Sequence, residues 1–259
     1  MQFLERDTGV IHYHLEGPAG APVVMFANSL GTDFRMWDAV AAQLRDHYRI
    51  LRYDKRGHGL SSAPPGPYTI RELAEDAIAL LDGLGLDRVH FCGLSIGGMI
   101  GQQLGGSHGD RLHSVILCDT AMTMPDPSMW SERAAQVRAN GLEPLVDGAM
   151  ERWFTPGFLG STMVAGVRNM FLRTPREGYA SCCEAIGSMN LEPQVASIRA
   201  PTLVVVGAED QGTPVAASEA IAGRIDGAQL EIIPNAAHLP PVEQPDATVA
   251  VLRRFLDAQ

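Results

Sequence analysis

The chain has 259 residues, of which 46% are hydrophobic and 19% charged, and its formal net charge is −10. This length can bury a large core in one α/β domain, with or without an insertion. The acidic balance argues against nucleic acid or an anionic membrane as a partner. No apolar run is long enough to span a membrane and no signal peptide is visible, so we expect a cytoplasmic protein. No oligomeric state is predicted.

The four cysteines show no spacing that is typical of a disulfide framework or a zinc site. Cys92 and Cys118 fall in predicted buried strands, where they serve as packing residues. Cys182 and Cys183 are adjacent and would bridge each other only with severe strain. A reduced compartment is therefore expected.

Strands and helices alternate from the N-terminus. Residues 2–15 predict two short strands joined by a turn, and His12 and His14 share one face of the second strand, where partial exposure is expected. The apolar run at 23–27 predicts a strand that is buried on both faces. The turn after it can direct a backbone N–H toward a nucleophile, and Leu30 is the expected donor.

A helix is predicted at 38–44 and a strand at 48–53, followed by the polar loop Asp54-Lys55-Arg56-Gly57-His58-Gly59-Leu60-Ser61. One His and one Asp are too few for a metal site, and the loop lacks the spacing of a phosphate-binding loop. We interpret it as structural and expect it near the floor of the site. Thr69 and Glu72 then predict a capping box at the start of the next helix.

The segment Val89-His90-Phe91-Cys92-Gly93-Leu94-Ser95-Ile96-Gly97-Gly98 has the pattern of a strand, a sharp turn and a helix around Gly-x-Ser-x-Gly. Ser95 is predicted to be held in a strained conformation that exposes its hydroxyl at the sheet edge. Gly93 and Gly97 are required because a Cβ would meet neighbouring backbone. Ile96 opens the helix, and its N–H is expected to point at an oxyanion formed on a carbonyl attacked by Ser95.

Another buried strand is predicted at 115–119, after which the alternation stops. Residues 122–190 lack strong strand patterns and instead predict four amphipathic helices, at 129–140, 142–154, 161–173 and 176–189. We interpret 122–190 as a helical cap inserted into an α/β core that is formed by 1–121 and 191–259. The alternation on either side predicts a mostly parallel sheet with flanking helices.

The core resumes with predicted strands at 202–206 and 230–233 and a final helix at 246–256. A serine hydroxyl needs a base and an acid that orients the base. Asp210 and His238 follow the last two strands, in the chain order serine, acid, histidine of an α/β-hydrolase. Asp119 is the alternative acid because it also ends a strand, and Asp210 is preferred because its loop leads into a helix start.

These features together resemble the α/β-hydrolases over the whole chain, and more narrowly the 3-oxoadipate enol-lactone hydrolases of bacterial aromatic catabolism. The stretches that carry the resemblance are Asn28-Ser29-Leu30-Gly31-Thr32 with Trp37, Arg52-Tyr53-Asp54-Lys55-Arg56-Gly57-His58-Gly59, Gly93-Leu94-Ser95-Ile96-Gly97-Gly98, Glu151-Arg152-Trp153-Phe154-Thr155-Pro156 and Ala236-Ala237-His238. The serine and histidine motifs are shared across the superfamily. The Asn-Ser-Leu-Gly and Glu-Arg-Trp-Phe-Thr stretches are more specific, since many relatives carry His-Gly at the first two positions of the former.

The resemblance implies a serine hydrolase that opens 3-oxoadipate enol-lactone to 3-oxoadipate through an acyl-enzyme, with no metal or organic cofactor. Such a small anionic lactone carries a carboxylate, which an arginine would bind through two parallel hydrogen bonds. We favour Arg133, with Trp130 and Trp153 as apolar pocket walls. It is one of five candidate arginines in the cap, which are Arg133, Arg138, Arg152, Arg168 and Arg173. Another esterase, lactonase or C–C bond hydrolase of the same fold, and a non-catalytic ligand sensor, remain open as alternatives.

Overall fold

A single eight-stranded sheet forms the centre of the molecule in the computed structural model, which describes residues 1–259. The strand order is β1-β2-β4-β3-β5-β6-β7-β8. The first two strands run antiparallel to their neighbours, and all the later pairs are parallel. The strands are β1 Gln2–Arg6, β2 Gly9–Glu16, β3 Val23–Ala27, β4 Arg49–Tyr53, β5 Val89–Leu94, β6 Leu112–Cys118, β7 Thr202–Gly207 and β8 Gln229–Ile233.

Eleven α-helices surround this sheet. They are α1 Asp38–Leu44, α2 Ile70–Gly83, α3 Ile96–Ser107, α4 Pro127–Asn140, α5 Val146–Trp153, α6 Thr162–Arg173, α7 Arg176–Gly187, α8 Glu192–Ser197, α9 Val215–Ala222, α10 Pro240–Glu243 and α11 Pro245–Leu256. Helix α3 packs against α2 and α8, while α1 packs against α10 and α11. None of these helices combines the length and the apolar character that crossing a bilayer requires.

Helices α4 to α7 lie between β6 and β7 in the chain, within the segment 122–190 that we predict to be a cap. Helix α4 packs chiefly against α7, and α5 against α6. The division of the chain into this segment and a two-part core stays a prediction. We refer to residues 122–190 below as the inserted segment.

Two local predictions were wrong. His12 is buried rather than partly exposed, because its Nδ1 pairs with Asp54 Oδ2 at 2.8 Å and its ring stacks on Phe34. The helix predicted over 142–154 is broken into a 3-10 turn at Glu143–Leu145 followed by α5. Pro144 is the physical cause, since a proline disfavours the α conformation in the residue before it and donates no hydrogen bond.

The parallel strands place their carboxyl ends at one edge of the sheet, where the loops that carry polar side chains meet. Residues 28–32 follow β3, the loop at 54–61 follows β4, and Ser95 follows β5 directly. Asp119, Asp210 and His238 follow β6, β7 and β8 in the same way. This edge of a parallel sheet is where ligand sites form in open α/β folds.

Candidate active site

Ser95 occupies the sharp turn between β5 and α3, with φ 58° and ψ −117°. A positive φ is uncommon for a non-glycine residue and stores strain, as the sequence pattern predicts. A Cβ on Gly93 would collide with the Gly97 carbonyl, so glycine is required for the turn to close. Ile96 is the first residue of α3, and the N–H groups that begin a helix have no acceptor within it.

Asp210 and His238 form a buried pair. His238 Nδ1 lies 2.8 Å from Asp210 Oδ2, and the same oxygen accepts from Thr213 Oγ1 at 2.7 Å. The other carboxylate oxygen accepts from the N–H groups of Gly212 and Thr213 at 2.8 and 3.1 Å. Burial acts to raise the pKa of Asp210, but the charge and hydrogen bond of His238, together with the donors of Thr213, hold that pKa below its ordinary value.

Asp119, the alternative acid, lies beside this pair. Oxygens of Asp119 and Asp210 and a ring nitrogen of His238 all lie within 4.8 Å of one another. Asp119 is fully buried, and its Oδ1 accepts from the Gly207 N–H at 2.8 Å. Burial and the adjacent Asp210 charge raise its pKa well above the usual range. These opposite directions favour Asp210 as the ionised partner of His238 and the neutral acid form of Asp119 beside it.

The backbone N–H groups of residues 29–31, in the loop after β3, differ in their acceptors. The Ser29 N–H faces Met36 Sδ at 3.4 Å, and the Gly31 N–H donates to His58 Nε2 at 2.9 Å. The Leu30 N–H between them bonds to no protein acceptor. Leu30 lines the same cavity as Ser95, which is the geometry expected of an oxyanion donor.

A cavity of about 330 Å³ lies over the serine. Its lining contains Ser95, Leu30 and His238, and it also contains the three predicted substrate contacts, Trp130, Arg133 and Trp153. Trp153 connects the predicted substrate contacts with the predicted catalytic residues, because its ring is stacked with the His238 ring at a centroid distance of 6.5 Å. The structure thus brings every predicted site residue except Ile96 and Asp210 to this cavity wall. Ile96 lies next to Ser95, and Asp210 contacts His238. The roles of all these residues stay predictions.

Two arginines of the inserted segment line the cavity without a carboxylate partner. The Arg133 guanidinium lies 4.7 Å from the centroid of the Trp130 ring, and Arg152 is near enough that burial and the Arg133 charge lower its pKa. The other candidates are engaged elsewhere. Arg138 pairs with Glu177 and Glu184, Arg168 pairs with Asp147, and Arg173 lines a separate surface cavity.

Comparison with known proteins agrees with this arrangement of the site. A model described as the alpha/beta hydrolase family matches residues 20–251. The chain belongs to the alpha/beta hydrolase family.

Individual relatives of this hydrolase are also similar over their full length. It is 41% identical to 3-oxoadipate enol-lactonase 2 of Acinetobacter baylyi, across 95% of this chain and 94% of that protein. The crystal structure of the enol-lactonase from Burkholderia xenovorans matches with a TM-score of 0.96 at 39% identity, covering 99% of this chain and 100% of that one. A thermophilic esterase from Thermogutta terrifontis matches with a TM-score of 0.93 at 29% identity, covering 100% and 99% of the two chains.

Sequence reasoning did not single out several residues that surround the site of this hydrolase. Arg152 was one of five candidates, and its position directly before Trp153 in a stretch typical of lactonases was the available signal. Lys55 and His58 contact the loop that carries Leu30, although their own loop was interpreted only as structural. Nothing in the sequence indicated Tyr179, which lines the cavity from α7.

Proposed function

We propose that this protein is a 3-oxoadipate enol-lactonase that opens the lactone ring to give 3-oxoadipate. The observation that carries the proposal is that Ser95 and the Asp210-bound His238 share one cavity of about 330 Å³ with two unpaired arginines, Arg133 and Arg152. Cationic groups without carboxylate partners favour an anionic substrate. The enol-lactonase relatives point to the same substrate class.

In the proposed reaction Ser95 attacks the lactone carbonyl while His238 accepts its proton. The N–H groups of Leu30 and Ile96 stabilise the oxyanion, and the ring C–O bond then breaks as the tetrahedral intermediate collapses. The leaving group is an enolate, which takes up the proton held by His238 and becomes the ketone, so that His238 is neutral again. Water activated by His238 hydrolyses the ester on Ser95, which releases the second carboxylate of 3-oxoadipate and regenerates the enzyme.

Arg133 and Arg152 are proposed to hold the carboxylate that the lactone carries. A planar guanidinium matches a carboxylate in two parallel hydrogen bonds, and partial burial strengthens each one. Trp130 and Trp153 supply flat apolar walls for the ring. The chain carries a net charge of −10, which repels anions. An anionic substrate therefore needs such a local cationic site.

The test is the ultraviolet loss of 3-oxoadipate enol-lactone, generated in situ, with wild type, Ser95→Ala, Arg133→Met, Arg152→Met and Arg168→Met. We expect rapid loss with wild type and none with Ser95→Ala. Each pocket arginine variant should lose at least about tenfold in kcat/KM, consistent with a lost charge-assisted hydrogen bond. Arg168→Met is the matched control, because Arg168 pairs with Asp147 away from the cavity, and it should behave as wild type.

The outcome also decides between the candidate functions. Labelling of Ser95 by a fluorophosphonate, without any loss of the lactone, would reject the substrate and leave another esterase, the class to which the 29% identical relative belongs. Unchanged kcat/KM in both arginine variants would reject the carboxylate site alone. Failure of Ser95 to react at all would favour the non-catalytic sensor.

A further inference from the structure

Lys55 is a buried cation that contacts the loop carrying Leu30. Its side chain is 1% exposed, and Nζ donates to the Ser29 carbonyl at 2.7 Å and to the Asn28 carbonyl at 3.3 Å. Burying an ammonium group is costly unless its hydrogen bonds are satisfied, so a lysine here needs a reason. The Ser29 carbonyl, which is the closest contact of Nζ, provides this reason.

The Ser29 carbonyl and the Leu30 N–H belong to the same peptide group. In a trans peptide the C=O and the N–H point in opposite directions, so a donor fixed on the oxygen sets where the N–H points. A cation on the oxygen also draws electron density through the amide, which makes the N–H a stronger donor. The Leu30 N–H has no protein acceptor.

His58, in the same loop as Lys55, contacts the next peptide group. Its Nε2 accepts from the Gly31 N–H at 2.9 Å, and the ring is fully buried. Burial and the Lys55 charge hold the pKa of His58 well below its ordinary value, so the ring is neutral and can accept. Lys55 and His58 therefore clamp the two peptide groups that flank Leu30.

We propose that Lys55 is a positioning residue of the oxyanion hole, which orients and polarises the Ser29–Leu30 peptide so that its N–H stabilises the negative charge formed on the attacked carbonyl. This inference rests on the proposed function in one respect, namely that Leu30 is an oxyanion donor for attack by Ser95. Lys55 itself does not touch the substrate.

A pH dependence follows from the burial of Lys55. Burial lowers its pKa to about 7, and the groups that face it are Cys182 of α7, Asp54 and His58 of its own loop, and Asp33. Burial also raises the pKa of the Cys182 thiol to about 12, so that thiol supplies no countercharge. The ammonium is present below pH 7 and is lost as the pH rises, so kcat should fall on the alkaline side.

The experiment compares wild type with Lys55→Met and Lys55→Gln from pH 6 to pH 9. Removing an oxyanion donor outright costs about 10²–10³ in kcat, so loss of its support should cost about tenfold. The KM should stay within about twofold, because the effect belongs to the transition state. The alkaline fall in kcat near pH 7 should be present in wild type and absent from both variants.

Arg56→Met is the matched control. Arg56 precedes the same Gly57-His58 turn but pairs with Asp76 instead of the Leu30 loop. Its loss should lower stability and leave the alkaline fall in kcat unchanged. If Lys55→Met does not fold, two other measurements test the proposal. One is the turnover of Lys55→Gln. The other is the NMR amide resonance of Leu30 in wild type, which should shift with pH as Lys55 titrates, with a midpoint near pH 7.

A fluorophosphonate that labels Ser95 separates this proposal from the choice of substrate. Slower labelling of Lys55→Met than of wild type supports the role of Lys55, even if the enol-lactone is not consumed. Wild-type labelling and turnover in a folded Lys55→Met, or a Leu30 amide resonance that does not respond to pH, would overturn the proposal while leaving the lactonase intact.

Discussion

Asp119 is a buried acid that lies beside the Asp210–His238 pair. Its Oδ1 accepts from the Gly207 N–H, whereas its Oδ2 receives no N–H or O–H donor. An ionised carboxylate in that position would face Asp210 with an unsatisfied oxygen. A neutral acid can instead direct its proton toward Asp210, which explains how two carboxyl groups share the site.

We predict that Asp119→Asn keeps kcat and its pH profile, because an amide can accept from Gly207 and donate toward Asp210. The raised pKa means that folded Asp119 holds its proton more tightly than unfolded Asp119, so stability falls as the pH rises above the unfolded value. The variant should therefore gain free energy of unfolding over wild type as the pH rises above the unfolded pKa of about 4, by at most about 1.4 kcal/mol for each pH unit, until the folded pKa of Asp119 is reached. Urea unfolding between pH 5 and pH 8 measures this gain.

Asp119→Leu is the comparison for that prediction. It leaves the Gly207 N–H unsatisfied, which should cost about 1–3 kcal/mol at every pH. A loss of kcat in Asp119→Asn as large as in Asp210→Asn would contradict the neutral-acid interpretation, because it would mean that the Asp119 charge itself acts on His238.

The sequence predicts Ser95, Asp210 and His238 because each of them lies in the turn or loop after a strand, and the chain order restricts the choice among eight histidines. This reasoning uses only the position of each residue relative to the strand that precedes it in the chain. The contact between Lys55 and Ser29 could not be predicted in the same way, since it depends on β4 lying beside β3 in the sheet. Arg152 likewise required the cavity lining, because exposed and pocket-facing arginines look alike in a helical pattern.

At the scale of elements, α10 connects the inserted segment to the loop that carries His238. Glu243 is buried in α10, and its Oε2 accepts from the Ala237 N–H at 2.9 Å. Its Oε1 accepts from the Thr155 N–H at 3.0 Å and from the Thr155 hydroxyl. One carboxylate therefore holds the backbone next to His238 and the chain that follows α5.

We predict that Glu243→Gln loses about 1–3 kcal/mol of stability, because the amide nitrogen must face one of these donors and leave it unsatisfied. The kcat/KM should fall about tenfold as the His238 loop relaxes, in line with the loss from small displacements of catalytic groups. Urea unfolding and lactone turnover measure the two effects. Glu192→Gln is the control, since Glu192 pairs with Arg224 on the surface and such pairs contribute only about 0–1 kcal/mol. Equal behaviour of the two variants would show that the Glu243 contacts are dispensable.

Element boundaries were predictable where the signal is a local hydrogen bond. The capping box of Thr69 and Glu72 was confirmed, with the Glu72 N–H donating to Thr69 Oγ1 at 3.1 Å and the Thr69 N–H donating to Glu72 Oε2 at 2.8 Å. The helix over 142–154 was wrong because its apolar spacing was given more weight than Pro144. A periodic pattern predicts which face is buried, but it does not override the missing N–H of a proline.

At the scale of the whole molecule, one hydrophobic cluster of 71 buried residues includes both the sheet and the inserted segment. Val24 and Phe91 of the sheet belong to the same cluster as Val137 and Phe171 of α4 and α6. Phe171 and Tyr179 also stand against the loop after β3, where a Cβ on Gly31 would meet both rings. The inserted segment therefore has no core that is separate from the sheet.

We predict that the inserted segment and the sheet unfold in one transition. The three tryptophans report on both parts, since Trp37 packs on Phe26 of β3 while Trp130 and Trp153 belong to α4 and α5. In Trp37→Phe, fluorescence follows only the inserted segment, and in the double variant Trp130→Phe/Trp153→Phe it follows only the sheet. Within each variant the urea midpoint from fluorescence should equal the midpoint from far-ultraviolet circular dichroism, because coincident probes are the mark of a two-state transition. An earlier fluorescence transition in Trp37→Phe alone would mean that the inserted segment opens by itself, and the cavity over Ser95 would then be assembled only part of the time.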